Sequence, residues 1–168
     1  MGAGGRVRFQ VAVCGPGRCT EEERQHAHQV GALLAEQGAI VLCGGGDGVM
    51  AAAADGARSR GGLVIGIRAD TDRAAVPDAL SAVVFTDLGE ARNAVIVASA
   101  DAVISVGGSW GTLSEIALAG RRGGIPVVCL AGWQVTDQTG SPVVGPVHVA
   151  TPQEAVVTAL TVRSQDDK

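Results

Sequence analysis

Three apolar, β-rich runs in this sequence end in glycine-bearing segments, and each segment leads into a helical pattern. The segments are residues 15–17, 44–48 and 107–111. Continuous apolar strands that alternate with helices are typical of a parallel sheet whose two faces are both covered. In such a sheet the three segments open at one edge, at the carboxyl ends of the strands, where ligands bind. The sequence therefore predicts an α/β fold with a doubly wound parallel sheet and helices on both faces.

Hydrophobic patterning places the remaining elements. We predict six strands, at residues 9–14, 39–43, 63–67, 82–85, 102–106 and 125–130. Capping boxes at residues 20–23 and 151–154 open the first and last helices, and further helices are predicted at residues 49–58, at 92–100 and around 115–119. Residues 68–78 are expected to form a loop that could cover a site, and the Gly- and Thr-rich residues 131–146 a flap or an edge connection.

Length and composition predict one globular domain. The chain has 168 residues, 46% of them hydrophobic and 18% charged. No apolar run approaches the ~20 residues that span a bilayer, and the first residues lack the apolar core of a signal peptide. We therefore expect no membrane partner and a cytoplasmic location. The predicted organisation is a disordered lead-in at residues 1–7, a single Rossmann-like nucleotide-binding domain at 8–162 and a loose C-terminus at 163–168.

Charge, aromatic content and cysteine spacing each argue against a class of function. The formal net charge is −4, and aromatic residues make up 2% of the chain with no Tyr among them. A nucleic-acid-binding surface needs basic side chains or stacking rings, so no nucleic-acid partner is expected. The cysteines lie at no zinc spacing, which predicts reduced thiols, mostly in the core, and no metal site. They are Cys14, Cys19, Cys43 and Cys129.

Three phosphate-binding chemistries are disfavoured by residues that the sequence lacks. Of the 13 basic residues only Lys168, the last one, is a lysine. A P-loop needs a lysine on the phosphates, and a pyridoxal enzyme needs one for its Schiff base. The dinucleotide fingerprint G-x-G-x-x-G also fails, because Val49 stands where a pattern starting at Gly44 requires glycine, and Thr20 where one starting at Gly15 does.

The run from Val106 to Glu115 is the strongest candidate for an anion site, because an apolar strand is followed directly by glycines at the start of a helix. Glu115 lies three residues after Thr112, so one interpretation is a capping box in which the carboxylate bonds back to the Thr112 amide. In the other, the Thr112 hydroxyl and the amides of Gly111 and Thr112 bind phosphate while Glu115 faces the pocket. The sequence leaves both open.

Three further residues carry two interpretations each. Arg92 begins a predicted helix, where the macrodipole disfavours a cation, so it either pairs with Glu90 at the surface or serves a ligand. Asp47 is either an ordinary residue of a glycine loop or a ligand contact. The Trp110 side chain either packs in the hydrophobic core or lines the binding site of a nucleotide base.

These residues together resemble the LOG (LONELY GUY) family, long labelled "possible lysine decarboxylase". Its P-G-G-x-G-T-x-x-E motif resembles residues 107–115, with Val106 in place of Pro and one extra residue before Gly111-Thr112. The Arg-Lys pair of the family corresponds to Arg92 and Asn93, and residues 44–50 resemble its G-G-G-x-x-G-L-M loop. The R-N pair and the altered motif resemble a short bacterial branch related in fold to DprA and to molybdenum cofactor carrier proteins.

The resemblance implies hydrolysis of the N-glycosidic bond of a nucleoside 5'-monophosphate, which releases free base and ribose 5-phosphate. Glu115 would stabilise the ribosyl centre or position water, and Arg92 would hold substrate or leaving group. The expected phosphate- or nucleotide-binding residues are Gly15, Gly45, Gly46, Asp47, Asn93, Gly107, Gly108, Gly111 and Thr112. No cofactor is expected, and a homodimer or higher homo-oligomer is implied. The alternative function is non-catalytic binding or carriage of a nucleotide or molybdenum cofactor.

Overall fold

A computed structural model describes residues 7–161, which form one seven-stranded sheet with helices on both faces. The helices and strands, in chain order, are β1 (Gln10–Cys14), α1 (Glu21–Glu36), β2 (Ile40–Cys43), α2 (Val49–Ser59), β3 (Val64–Arg68), β4 (Ala82–Phe85), a 3-10 turn (Gly89–Ala91), α3 (Arg92–Ser99), β5 (Ala102–Val106), α4 (Trp110–Arg122), β6 (Val127–Leu130), β7 (Val147–Val149) and α5 (Pro152–Ala159). The expectations for residues 1–6 and 163–168 lie outside the described residues.

The strand order, β4-β3-β2-β1-β5-β6-β7, defines a doubly wound sheet, and every strand pair in it is parallel. The chain winds outward from β1 to β4, then returns to the other side of β1 with β5. The carboxyl ends of β1 and β5 therefore flank the topological switch point, the usual ligand site of such sheets. Cys14 pairs with Ser105 at this end of the two strands. The predicted α/β fold class is confirmed.

Strand alternation divides the core into two layers. Val11 and Val13 face the layer formed with α1, α2 and α5, whereas Ala12 and Cys14 face the layer that includes α3 and α4. The two layers cover both faces of the sheet, which explains why the central strands read as continuous apolar runs. Cys14 therefore lies on the same face of the sheet as Glu115 of α4.

Helices α1 and α2 cross with their backbones in contact. A Cβ atom added at Gly31 would meet the carbonyl oxygen of Ala53, and one added at Gly56 would meet the carbonyl oxygen of His28. Glycine is needed at both positions because any side chain would push the two helices apart.

All six predicted strands form, with ends within two residues of the expected positions. The seventh strand, β7, was not expected: it follows the irregular residues 131–146 and is a short, mostly exposed edge strand that pairs with β6. The expectation of mostly buried, reduced thiols is confirmed, since all four cysteines are free and three are buried. Within residues 7–161, no helix is long and apolar enough to cross a membrane.

Candidate functional site

The three predicted glycine segments all lie at the carboxyl edge of the sheet. Gly15 directly follows β1 and is closely packed, since a Cβ at this position would meet the Val106 carbonyl and the Val49 side chain. Gly48 precedes α2 with φ +64°, and the amide of Val49 donates to the Pro16 carbonyl at 3.1 Å. The loops after β1 and β2 are therefore held against each other and against the end of β5.

The loop after β5 turns sharply into α4. Gly107 has φ +69°, a conformation that favours glycine, and its amide donates to the Leu130 carbonyl at 3.0 Å. The Glu23 carboxylate, which also completes the capping box of α1, lies against the Gly107 Cα. Because the negative charge of Glu23 repels an anion, we expect an anion bound at this loop to lie on the side that faces α4.

Ser109, not Thr112, caps helix α4. The Ser109 hydroxyl accepts from the Thr112 amide at 3.2 Å and lies 2.9 Å from the Thr112 hydroxyl. The helix begins at Trp110, which places Glu115 in the second turn. The capping-box interpretation of Thr112 and Glu115 is therefore wrong, because Glu115 is too far along the helix to reach the cap.

Glu115 is instead a buried carboxyl group with 8% of its surface exposed. Burial raises its pKa from 4.5 to about 7, and this is only partly offset by a hydrogen bond from the Cys14 thiol and by the positive charge of Arg92. Burial also raises the pKa of Cys14, which keeps this thiol protonated and able to donate. A carboxyl group in this state is half protonated near neutral pH.

Arg92 is bound to backbone oxygens. Its Nη1 donates to the carbonyls of Gly44 and Ile67, both at 2.8 Å, and a Cβ at Gly44 would collide with the guanidinium. Its partners therefore lie at the ends of β2 and β3, not at Glu90 as one interpretation had it. The Nε atom of Arg92 is buried with no hydrogen-bond partner among the described residues.

Asn93 joins α3 to the N-terminal part of α4. This buried side chain donates from Nδ2 to the Ser114 hydroxyl at 2.9 Å, and Ser114 in turn donates to the Gly111 carbonyl at 2.7 Å. Its amide is thus used to position the start of α4. Asp47, by contrast, is exposed on the loop after β2.

Arg68 is a site residue that sequence reasoning missed. It pairs with Asp70 through two hydrogen bonds of 2.9 and 2.8 Å, and its Nη1 donates to the Gly45 carbonyl at 2.7 Å and the Ala75 carbonyl at 2.9 Å. It therefore fixes residues 68–78 against the loop that contains Gly45 and Gly46. An arginine ending an apolar strand was the available signal.

The two tryptophans meet beside the loop after β5. Their ring centroids are 5.2 Å apart in an edge-to-face arrangement, and a Cβ at Gly108 would collide with the Trp133 ring. Trp110 is 78% exposed, so its side chain does not pack in the hydrophobic core. Nothing in the spacing of Trp133 pointed to this position.

The structure thus brings Gly15, Gly107, Gly108, Gly111, Thr112, Glu115 and Arg92 to the switch point, with Gly45, Gly46 and Asp47 on the neighbouring loop. Within residues 7–161, no group of three or more His, Cys, Asp or Glu side chains is placed to hold a metal ion. The arrangement offers backbone amides at a helix start close to a buried carboxyl group, and such amides suit an anionic organic ligand.

Replacing Glu115 by Gln is expected to stabilise the protein at high pH. Because the folded-state pKa is above the unfolded one, the favourable contribution of Glu115 is present below about pH 4.5 and lost as pH rises through about 7. Urea unfolding should show Glu115→Gln more stable than wild type by about 3 kcal/mol at pH 8 and by less than about 1 kcal/mol at pH 5.

The matched control is Glu90→Gln, which makes the same substitution at an exposed position outside the buried contact with Cys14. Equal effects of Glu115→Gln at pH 5 and pH 8 would show that Glu115 does not titrate as a buried group.

The Rossmann-like parallel sheet of this chain is shared with known proteins. Residues 8–157 match the model of the SLOG cluster4 family, and the chain belongs to that family. SLOG joins the SMF/DprA and LOG groups, so the resemblance is confirmed for the superfamily and not for the LOG branch itself. An uncharacterized protein from Archaeoglobus fulgidus is 47% identical over 115 residues, which cover 68% of this chain and 76% of that protein.

Solved structures resemble the chain over nearly its whole length. The molybdenum cofactor binding protein of Rippkaea orientalis is 31% identical with a TM-score of 0.79, over 95% of this chain and 98% of that one. The molybdenum cofactor carrier protein of Chlamydomonas reinhardtii is 28% identical with a TM-score of 0.76, over 96% and 99%. DNA processing protein A of Helicobacter pylori, which binds single-stranded DNA, is 21% identical with a TM-score of 0.66, over 92% and 81%, and shares the fold.

Proposed function

We propose that this protein binds a phosphate-bearing, nucleotide-like ligand at the switch point and acts as a binding or carrier protein. The observation that carries the proposal is the start of α4 beside the Gly107–Gly108 turn. Ser109 caps the Thr112 amide, so Trp110 and Gly111 are the positions whose N–H groups can turn to an anion. Preorganised amides at a helix start bind phosphate without a lysine.

The ligand class follows from what nucleotides and the molybdenum cofactor have in common, which is a phosphate linked to a fused nitrogen heterocycle. Two structures that resemble this chain belong to proteins that bind or carry the molybdenum cofactor. Carriage also agrees with the burial of Glu115 and with the use of Arg92 on backbone carbonyls, because neither side chain is freely presented to a substrate.

Hydrolysis of a nucleoside 5'-monophosphate is the second candidate, and Glu115 is the observation that favours it. A buried carboxyl group with a pKa of about 7, next to an arginine, suits general acid or base chemistry at neutral pH. It costs stability and caps no helix, so a structural role does not account for it. In this reaction Glu115 would act on the ribosyl centre or on water, and Arg92 would stabilise the charge that develops.

One experiment separates the two candidates. Wild type and Glu115→Gln are mixed with AMP, GMP or molybdenum cofactor released from a molybdoenzyme, and both melting temperature and free base are measured. A ligand at 100 times its Kd stabilises by about 2.7 kcal/mol, which raises the melting temperature of a domain of this size by about 5–10 °C. A carrier is stabilised in both forms and releases no base.

Other outcomes have distinct meanings. Base release by wild type and not by Glu115→Gln would establish the hydrolase. No stabilisation by any of the three ligands would overturn the proposal. A single-stranded oligonucleotide at physiological salt is a further arm, and we expect no binding because the net charge is −4. Sedimentation of the same samples tests the expected homodimer or higher homo-oligomer.

A further inference from the structure

The aromatic residues of this chain are few, and two of them stand together at the candidate site. The sequence contains two Trp, two Phe and no Tyr. Trp110 is the first residue of α4, and Trp133 lies in the segment after β6, yet the ring centroids are only 5.2 Å apart. The rings are 78% and 43% exposed, respectively. Large aromatic rings left this open to water mark an interaction site more often than a structural one.

The position of Trp133 is fixed by close backbone packing. Gly132 lies against the Gly107 carbonyl with no room for a Cβ. At Gly108, the Trp133 ring occupies the space that a Cβ would need. Ala131, just before Gly132, has φ +53°, which is unfavourable for a residue with a side chain. A strained alanine and two glycines are thus needed to hold this indole beside the loop after β5.

We infer that Trp110 and Trp133 form the stacking surface for the planar heterocycle of the ligand, a purine or pterin whose phosphate is held at the start of α4. This inference rests on the proposed function and adds the location of the ring. Trp110 is the first residue of the helix turn whose amides we assign to the phosphate, which puts the indole and the phosphate site at the same end of α4. A phosphate alone would need neither ring, whereas every purine and pterin has a flat face that stacks on indole.

Intrinsic fluorescence reports on this surface alone, because the chain has no other Trp and no Tyr. AMP and molybdenum cofactor are titrated with fluorescence and calorimetry in parallel, and ribose 5-phosphate serves as the probe that carries phosphate without a ring. We expect ring-bearing ligands to quench the tryptophan emission on binding. Ribose 5-phosphate should bind more weakly and leave the emission nearly unchanged.

Variants test the energetic role of each ring. Trp110→Ala removes an exposed side chain and should fold normally, and Trp133→Phe keeps a ring where Trp133→Ala does not. Either alanine variant should weaken AMP or cofactor binding roughly 5- to 100-fold, with little change for ribose 5-phosphate. Val157→Ala on α5, an exposed apolar residue outside the site, is the control and should have no effect.

The outcomes distinguish this inference from the function on which it rests. Binding by calorimetry with no quenching and unchanged affinity in both alanine variants would overturn the stacking surface and leave the proposed function standing. If neither AMP nor the molybdenum cofactor binds to the protein, both the stacking surface and the proposed function are overturned.

Discussion

Replacing Gly111 by Asp should abolish ligand binding without unfolding the protein. A Cβ at Gly111 meets only the Ser109 hydroxyl, 3.8 Å away, so the new side chain fits. Its negative charge suits the first turn of a helix and should slightly stabilise α4. The same charge lies where we place the phosphate, and like charges in contact cost several kcal/mol. Calorimetry should show affinity for AMP or molybdenum cofactor falling by about 100-fold or more.

The control for this variant is Gly120→Asp, the same substitution near the other end of α4. Gly120 is exposed, and a Cβ there meets no atom of the described structure within 4 Å. This variant should bind like wild type, although its acid is less favourable near a helix C-terminus. Equal loss of binding in the two variants would point to a general charge effect, and unchanged binding in Gly111→Asp would place the anion elsewhere.

Replacing Gly31 by Ala should destabilise the protein by about 3 kcal/mol, an unusually large effect for one methyl group. The added Cβ would meet the Ala53 carbonyl where α1 and α2 cross, so the two helix backbones must separate. Packing over the whole crossing would then loosen, because interiors close to crystal density leave no space to absorb the shift. Urea unfolding measures the loss.

Gly120→Ala is the matched helical control, and it should change stability in the opposite direction. Alanine replaces glycine at an exposed helix position with open space around it, which stabilises by roughly 0.5–1 kcal/mol. A Gly31→Ala variant as stable as wild type would contradict the backbone contact between α1 and α2.

The fold was readable from the sequence because its central strands are buried on both faces. Runs such as 102–106 are apolar at nearly every position, and Gly107 marks the carboxyl end of this run. The edge strand β7 lacks that signal: it is three residues long, largely exposed and contains His148. Its strand conformation comes from pairing with β6, a contact that local sequence does not encode.

The candidate site was readable in part. Glycine spacing and the resemblance placed the three loops together. One of the two interpretations of the start of α4 took Thr112 as its capping residue, whereas the structure has Ser109 there. Both hydroxyl residues lie in the same short run, and only geometry decides which of them precedes the helix. The contact between Cys14 and Glu115 had one usable signal, because alternation along β1 puts Cys14 on the face opposite Val13.

Glu115 links the stability of the protein to its proposed function. A chain that only needed to fold would gain stability from a neutral residue at this position, since the carboxyl group is buried and held above its ordinary pKa. Residues that lower the stability of the fold are common at functional sites, and Glu115 fits this pattern. Whether Glu115 acts on a substrate or shapes a carrier pocket is decided by the assay for free base.

A crystal structure of the protein with AMP bound is the most direct test of the central claim, that the start of α4 at the switch point binds the phosphate. We predict phosphate density within hydrogen-bonding distance of the Trp110 and Gly111 amides, beside Gly108. Phosphate density at another face of the sheet, with the start of α4 occupied only by water, would contradict the claim.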